Sequence, residues 1–92
     1  MSNENIYTHT FLANEKVGTY VFNASLYELF IEHEDIPNGK IIYGMFDKAD
    51  VVELYGLVNY MYDLLNYRQY RAATDTITTF VENGLSFPEG AF

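Results

Sequence analysis

The segment 51–65 constrains the fold most strongly, because its apolar residues recur at the three- and four-residue spacings of a helix. The recurring residues are Val51, Leu54, Tyr55, Val58, Met61, Tyr62 and Leu65. Further apolar residues widen this surface beyond one stripe, namely Val52, Leu57, Tyr60 and Leu64. A helix with so little polar surface is expected to be buried on most sides. In a chain of only 92 residues, that pattern predicts that a second copy covers part of the helix.

Two strands are predicted near the start of the chain and are expected to pair as a hairpin. Residues 6–12 alternate polar and apolar side chains, and residues 17–22 are rich in β-branched and aromatic residues. The four residues 13–16 between them form a plausible turn. A third strand is predicted over residues 40–46, after a strong turn signal at residues 36–39.

A first helix is predicted over residues 26–33. Ser25 and Glu28 match a capping box, in which the serine caps the helix and the glutamate bonds back to it. Asp47 or Asp50 is the expected cap of the second helix, which covers the segment 51–65.

A third helix is predicted from a capping-box-like start at residues 66–69 to about Val81, with Asn83-Gly84 as its end. The element order is therefore β-β-α-β-α-α. This order predicts one acidic α+β domain over residues 1–92, with a small antiparallel sheet of about three strands packed against about three helices. Residues 85–92 are expected to form a short C-terminal tail.

Several classes of protein are disfavoured by what the sequence lacks. There is no cysteine, so disulfides and thiolate chemistry are excluded. The first five residues do not resemble a signal peptide, and no apolar stretch approaches the length of a membrane span. These features predict a cytoplasmic protein that does not bind a membrane.

Catalytic and cofactor motifs are also missing from the sequence. The segment 37–40 lacks the glycine spacing of a phosphate-binding loop, and His9 and His33 are the only histidines. We therefore expect no cofactor, no metal site and no enzymatic activity. A clustered, buried carboxylate pair in a pocket would instead indicate acid–base catalysis.

Negative charge is the property that points to a partner. Thirteen acidic residues against five basic ones leave a net charge of −8, which repels nucleic acid and attracts basic surfaces. Solubility alone is the competing explanation. In the predicted first helix, Glu28, Glu32 and Asp35 would form one stripe, with neighbouring carboxylates roughly 6 Å apart along the axis.

The density of charge limits how much of DNA such a surface can copy. A domain of this length is about 30 Å across, and duplex DNA of that length carries roughly 18 phosphates. A net charge of −8 therefore permits a copy of one face only, and a dimer would double the length of that face.

Residues 1–11 (MSNENIYTHTF) and the acidic residues 27–35 (YELFIEHED) resemble the Arn anti-restriction proteins of T-even bacteriophages. The resemblance covers the whole chain. It depends on overall length and acidic character, because the family has no compact diagnostic motif. It implies a DNA mimic, usually dimeric, that protects phage DNA from a host modification-dependent nuclease of the McrBC type. It brings no catalytic residues, and the charge here is modest beside the most acidic mimics.

The predicted function is competitive occupation of the DNA-binding cleft of a host restriction endonuclease or other DNA-binding protein, in the host cytoplasm. The predicted phosphate-mimicking carboxylates are Glu28, Glu32, Glu34, Asp35, Asp47, Asp50, Glu53 and Asp63. The predicted homodimer interface consists of Tyr55, Val58, Tyr62 and Leu65. The alternative is a protein-specific adaptor or inhibitor that binds its partner through an aromatic patch, since the chain has nine tyrosines.

Overall fold

The computed structural model describes residues 5–36, 40–42 and 48–87, and it describes no side chains for residues 40–42 and 48–53. The strands are β1 (Ile6–Ala13), β2 (Lys16–Asn23), β3 (Glu28–Glu32) and the three-residue β4 (Lys40–Ile42), and the helices are α1 (Lys48–Asn66) and α2 (Tyr70–Glu82). The predicted α+β class is confirmed. The order is β-β-β-β-α-α, so the predicted first helix was wrong: a strand, β3, stands in its place and two helices are described, not three.

The strands form one antiparallel sheet in the order β1-β2-β3-β4. Side chains alternate between the two faces of a strand, and one face of this sheet lies in the core. The buried residues on that inner face are Phe11, Ala13, Gly18, Tyr20, Phe22, Leu29 and Ile31. Tyr7 and His9 lie on the same inner face and are partly buried, whereas the outer face includes exposed Leu12, Val17, Glu28 and Glu32.

The predicted β1–β2 hairpin is confirmed. Ala13 pairs with Lys16, so the loop contains only Asn14 and Glu15. Both loop residues have positive φ, at 53° and 64°. This is the backbone of a type I′ turn, whose twist matches that of paired strands, and asparagine tolerates it well.

The predicted first helix, residues 26–33, is wrong. The side-chain oxygen of Asn23 accepts hydrogen bonds from the backbone N–H groups of Ser25 (3.0 Å) and Leu26 (3.2 Å), which closes a turn. Tyr27 then has a φ of 53°, which ends any right-handed helix, and β3 begins at Glu28. Pairing with β2 buries alternate β3 residues, Leu29 and Ile31, and this long-range burial outweighs the local capping pattern.

Only part of the predicted third strand can be compared with the structure. β4 covers Lys40–Ile42 and pairs with β3. The predicted remainder, residues 43–46, and most of the predicted turn at 36–39 lie outside the described residues.

The predicted second helix is confirmed as α1, and the single chain alone does not bury it on most sides. Its buried residues follow one stripe: Leu54, Leu57, Val58, Met61, Leu64 and Leu65. The additional apolar positions with described side chains are tyrosines. Tyr55 and Tyr60 are exposed, and Tyr62 is partly buried. Within the described part of the chain, neither helix is long and apolar enough to cross a membrane.

α2 confirms the predicted last helix, although its predicted cap is wrong. Asn66 is the last residue of α1, and Gln69 precedes α2 without making a side-chain capping hydrogen bond. At the C-terminal end, Asn83 is the cap and Gly84 has a φ of 73°, as its sequence position indicated. The first residues of the predicted tail pack on the core, with the Phe87 ring 5.0 Å from that of Phe80.

Candidate functional site

The carboxylates form the first component of the candidate site. All eight whose side chains the structure describes are exposed: Glu15, Glu28, Glu32, Glu34, Asp35, Asp63, Asp75 and Glu82. Among the described side chains, Asp35 alone pairs with a cation, through a contact of 2.7 Å with Lys16. Among the side chains that the structure describes, the other seven carboxylates therefore make no ion pair, while the Lys40 side chain, opposite Glu32 in the β3–β4 register, is not among them.

Glu28 and Glu32 do not form the predicted helical stripe with Asp35, because they lie on a strand. Both are on the outer face of β3, on either side of Phe30. A strand rises about 3.3 Å per residue, so their Cα atoms are roughly 13 Å apart, against the 6 Å expected for a helix. Both carboxylates are exposed on the same face of the strand, but their separation is about twice the predicted one.

Asp35 belongs to a local hydrogen-bonded group. Its carboxylate accepts hydrogen bonds from Lys16 Nζ at 2.7 Å and from Asn14 Nδ2 at 2.9 Å. The bond from Lys16, followed by that from Asn14, lowers the pKa of Asp35, and the same pairing raises the pKa of Lys16. Glu34 adds to the raised pKa of Lys16, so it lies within electrostatic range. Asp35 is consequently a poor candidate for a phosphate mimic.

Asp63 lies on α1, at the opposite end of β1 and β2 from the Asn14–Glu15 turn. It follows Tyr62, whose ring stacks on that of Tyr27, the residue before Glu28, and its charge contributes to the raised pKa of Tyr27. The fold thus brings Glu28 and Asp63 to the same region, although they are far apart in sequence. Asp47 lies outside the described residues, and the side chains of Asp50 and Glu53 are likewise not described.

Tyr27 and Tyr62 form the second component of the site. Their rings stack with centroids 4.7 Å apart and planes 18° apart, yet Tyr27 remains 40% exposed. Positive φ is unusual for a bulky residue and is often found at functional positions. The pKa of Tyr27 is raised, first because its surroundings exclude water and then because Tyr62, Asp63 and Tyr55 lie close.

A groove of about 310 Å³ opens beside the stacked rings. We call it the tyrosine groove, and it is lined by Asn5, Tyr7, Ala24, Ser25, Tyr27, Tyr62 and Asn66. Asn5 supports one wall, because its side chain donates to Ser25 Oγ at 2.7 Å and its carbonyl accepts from Ala24 N–H at 2.8 Å. None of the lining residues carries a charge at neutral pH.

The sequence interpretation missed Tyr27 as a site residue, because it placed this residue inside a helix. Asn23 was the available signal. Asparagine favours turns by bonding to the backbone two residues ahead, and its neighbours Ala24 and Ser25 do not oppose a turn. That Tyr27 stacks on Tyr62 of a distant helix could not be seen from spacing.

The four residues of the predicted dimer interface differ in how exposed they are in the single chain. Val58 is 2% exposed and Leu65 is fully buried within the single chain, so neither side chain lies on the surface of the monomer. They belong to the α1 stripe that lies in the hydrophobic core. Tyr55 is 53% exposed, and Tyr62 is partly buried and lines the tyrosine groove.

His33, one of the two histidines in the sequence, lies in the core. It is 3% exposed, and its ring stacks on Phe11 with centroids 5.5 Å apart. Among the described residues, no group of three or more histidine, aspartate or glutamate side chains is arranged to hold a metal ion. No described carboxylate is buried, so the described region contains no buried carboxylate pair.

Comparison of the chain with protein-family models, with curated proteins and with solved structures gave no match.

Proposed function

We propose that the protein is a non-catalytic inhibitor that occupies the DNA-binding cleft of a basic partner as a partial mimic of DNA. The observation that carries this proposal is the exposure of all eight described carboxylates, of which Asp35 alone is ion-paired within the described region. Unpaired carboxylates on a surface attract lysine- and arginine-lined clefts and speed association with them.

The mimicry is confined to part of the surface. The longest dimension of the molecule is 35 Å, and duplex DNA of that length carries about 20 phosphates. The net charge of −8 is less than half of that. The acidic face that we propose combines Glu28 and Glu32 on the outer face of the sheet with Asp63 beside Tyr27.

The resemblance to the Arn proteins suggests the class of partner. We propose a modification-dependent restriction endonuclease of the McrBC type, in the host cytoplasm, as the first partner to test. In this proposal the protein shields the nuclease's DNA-binding residues, and no covalent step takes place.

Displacement of DNA is the direct test. Labelled modified duplex is bound to the purified nuclease, this protein is titrated in, and fluorescence anisotropy reports the bound DNA. We expect the protein to displace the duplex, with an apparent affinity that falls steeply as salt rises. If the nuclease instead holds protein and duplex together, with neither displacing the other, the proposal is wrong.

Two charge-matched double variants locate the acidic face. Glu28→Gln with Glu32→Gln removes two charges from the outer face of β3, while Glu15→Gln with Asp75→Asn removes two from the hairpin turn and α2. We expect the first pair to weaken displacement of DNA more than the second. Equal effects would show that only total charge matters.

A homodimer would extend the acidic face, and we propose one on that ground. Tyr55 is the member of the predicted interface that remains clearly exposed. Light scattering at micromolar concentration is the test, and a monomeric mass there would exclude the dimer.

The second candidate function is inhibition through an aromatic contact that leaves the DNA-binding cleft open. The stacked Tyr27–Tyr62 pair, in which Tyr27 is exposed, favours it, because tyrosines in preformed positions are frequent energetic centres of interfaces. Binding of that kind would respond little to salt and would not compete with DNA.

A further inference from the structure

The stacked tyrosines and the neighbouring carboxylates suggest a specific contact, and this inference rests on the proposed function because it assumes a basic partner. We propose that the tyrosine groove binds an arginine side chain of the partner, with its guanidinium plane stacked on the exposed face of the Tyr27 ring.

The Tyr27 ring is held in position before any partner binds. One face stacks on Tyr62 at 4.7 Å, and the backbone of the turn is fixed by Asn23 and by the bond from Asn5 to Ser25. A ring held in this way loses little conformational entropy on binding. Its remaining exposure is available to a planar cation.

The electrostatic surroundings favour a cation over an anion or a neutral ligand. Asp63 follows Tyr62 on α1, whose ring stacks on Tyr27 at 4.7 Å, and Glu28 is the residue after Tyr27. Asp63 makes no ion pair within the described region. Phosphate-bearing ligands would be repelled by these carboxylates and by the net charge of −8.

Arginine matches the groove better than lysine does. Guanidinium is planar, stacks on aromatic faces and directs five N–H donors outward, whereas an ammonium ion is a compact point charge. The groove supplies uncharged acceptors for those donors, including Ser25 Oγ and the side-chain oxygen of Asn66. Its volume of about 310 Å³ is at the lower end for ligand pockets and suits one side chain.

Two capped octapeptides provide the probe, one alternating glycine with arginine and the other alternating glycine with lysine. Both carry the same charge, so a difference between them reports the guanidinium. At low salt we expect the arginine peptide to bind roughly two- to five-fold more tightly, as an exposed cation–π contact allows. In NMR spectra, the ring protons of Tyr27 and Tyr62 should shift with the arginine peptide.

Substitutions at Tyr27 test the ring itself. Tyr27→Asn removes the ring and keeps a residue that tolerates positive φ, so the turn is expected to remain folded, and circular dichroism checks this. Tyr27→Phe retains the aromatic face. We expect the preference for arginine to disappear in Tyr27→Asn and to persist in Tyr27→Phe.

A matched charge pair tests the electrostatic part. Asp63→Asn removes a charge beside the groove, and Glu15→Gln removes one at the hairpin turn, roughly seven strand residues or 23 Å away along β1. Asp63→Asn should weaken binding of the arginine peptide more than Glu15→Gln does. Equal effects would contradict a local role for Asp63.

The outcomes separate this inference from the proposed function. If both peptides bind equally in the unmodified protein, or if Tyr27→Asn keeps the preference, the arginine site is wrong, while displacement of DNA from the nuclease can still hold. If neither peptide binds even at low salt, the acidic surface does not attract cations, and both proposals fall.

Discussion

Nε2 of His33 lies 2.9 Å from the carbonyl oxygen of Ala13, which joins the loop after β3 to the end of β1. The same nitrogen is 3.1 Å from the carbonyl oxygen of Lys16, and Nδ1 accepts the backbone N–H of Asp35 at 3.0 Å. Since Nδ1 is an acceptor here, the proton must be on Nε2, and the ring is the neutral tautomer. His33 thus connects three backbone segments around the Asn14–Glu15 turn.

Replacing His33 by leucine should destabilise the fold by about 2–3 kcal/mol, because buried backbone groups lose their hydrogen-bond partners while the volume is nearly retained. Urea unfolding measures the loss. His9→Leu is the control, since His9 is partly buried and makes only aromatic contacts with Tyr20 and Tyr70 among the described residues. Equal losses in the two variants would show that the hydrogen bonds of His33 are unimportant.

Two glycine-to-alanine substitutions should change the free energy of unfolding in opposite directions. A Cβ at Gly18 would lie 2.5 Å from Phe11 Cζ and 2.8 Å from His33 Cδ2, so Gly18→Ala forces apart a buried stack and should cost about 1–3 kcal/mol. Gly56 lies in α1 with nothing within 4 Å of its added Cβ, and Gly56→Ala should stabilise by roughly 0.5–1 kcal/mol. Thermal and urea unfolding of both variants would test this pair, and a loss at both positions contradicts it.

The C-terminal ends of the two helices predict a second pair of substitutions with opposite effects on stability. After α1, the N–H groups of Arg68 and Gln69 bond to the carbonyls of Leu65 and Leu64, and Arg68 has a φ of 61°. After α2, Gly84 and Leu85 repeat this pattern. Because a left-handed residue with a Cβ is strained, Arg68→Gly should stabilise by about 0.5–1 kcal/mol, and Gly84→Ala should destabilise by a similar amount. Chemical unfolding is the measurement, and a destabilised Arg68→Gly protein would be the contrary result.

The burial of Leu65 predicts a large loss on truncation even in a monomer. Leu65→Ala should cost about 2–5 kcal/mol, because it leaves a cavity in the core. The same change at Leu12, which is exposed on the outer face of β1, should have an effect within about 0.5 kcal/mol. Unfolding is followed at two protein concentrations. If the Leu65→Ala loss appeared only where the chain associates, Leu65 would belong to an interface after all.

The Lys16–Asp35 pair predicts a dependence of stability on pH at the acidic side. Lys16 lowers the pKa of folded Asp35, so this contribution is present above the pKa of the unfolded carboxyl and is lost as the pH falls through the lower, folded value. In urea unfolding across acidic pH, Asp35→Asn should flatten the dependence. Glu34→Gln removes an adjacent charge without removing a bond to Lys16 and should flatten it less. Identical profiles for the two variants would count against the pairing.

The local elements were largely predictable from the sequence. Each of these elements depends on a pattern among residues close together in sequence. The patterns are the alternation in residues 6–12, the turn residues at 13–16 and the helical spacing in 51–65. β3 was not predictable in this way. The pattern of residues 28–32 is compatible with a strand and with a short helix. The strand forms because pairing with β2 buries Leu29 and Ile31.

The candidate site was less predictable than the fold, because it depends on contacts between distant parts of the chain. The exposure of Glu28, Glu32 and Asp63 agrees with expectation, since isolated charges stay in water. The predicted spacing of Glu28 and Glu32 was wrong, because these residues lie on a strand and not on a helix. Within the single chain the apolar excess of α1 does not lead to burial, because Tyr55 and Tyr60 keep their hydroxyl-bearing rings at the surface.

The sequence by itself determined that the chain is acidic, lacks cysteine and forms an α+β domain, because charge and periodicity are properties of the chain that folding does not change. Only the tertiary structure decided that Asp35 is neutralised by Lys16, that Tyr27 stacks on Tyr62, and that Asp63 lies beside them. Each of these pairs joins residues that are not neighbours in sequence: β2–β3 pairing brings Lys16 to Asp35, and the position of α1 against the turn before β3 brings Tyr62 to Tyr27.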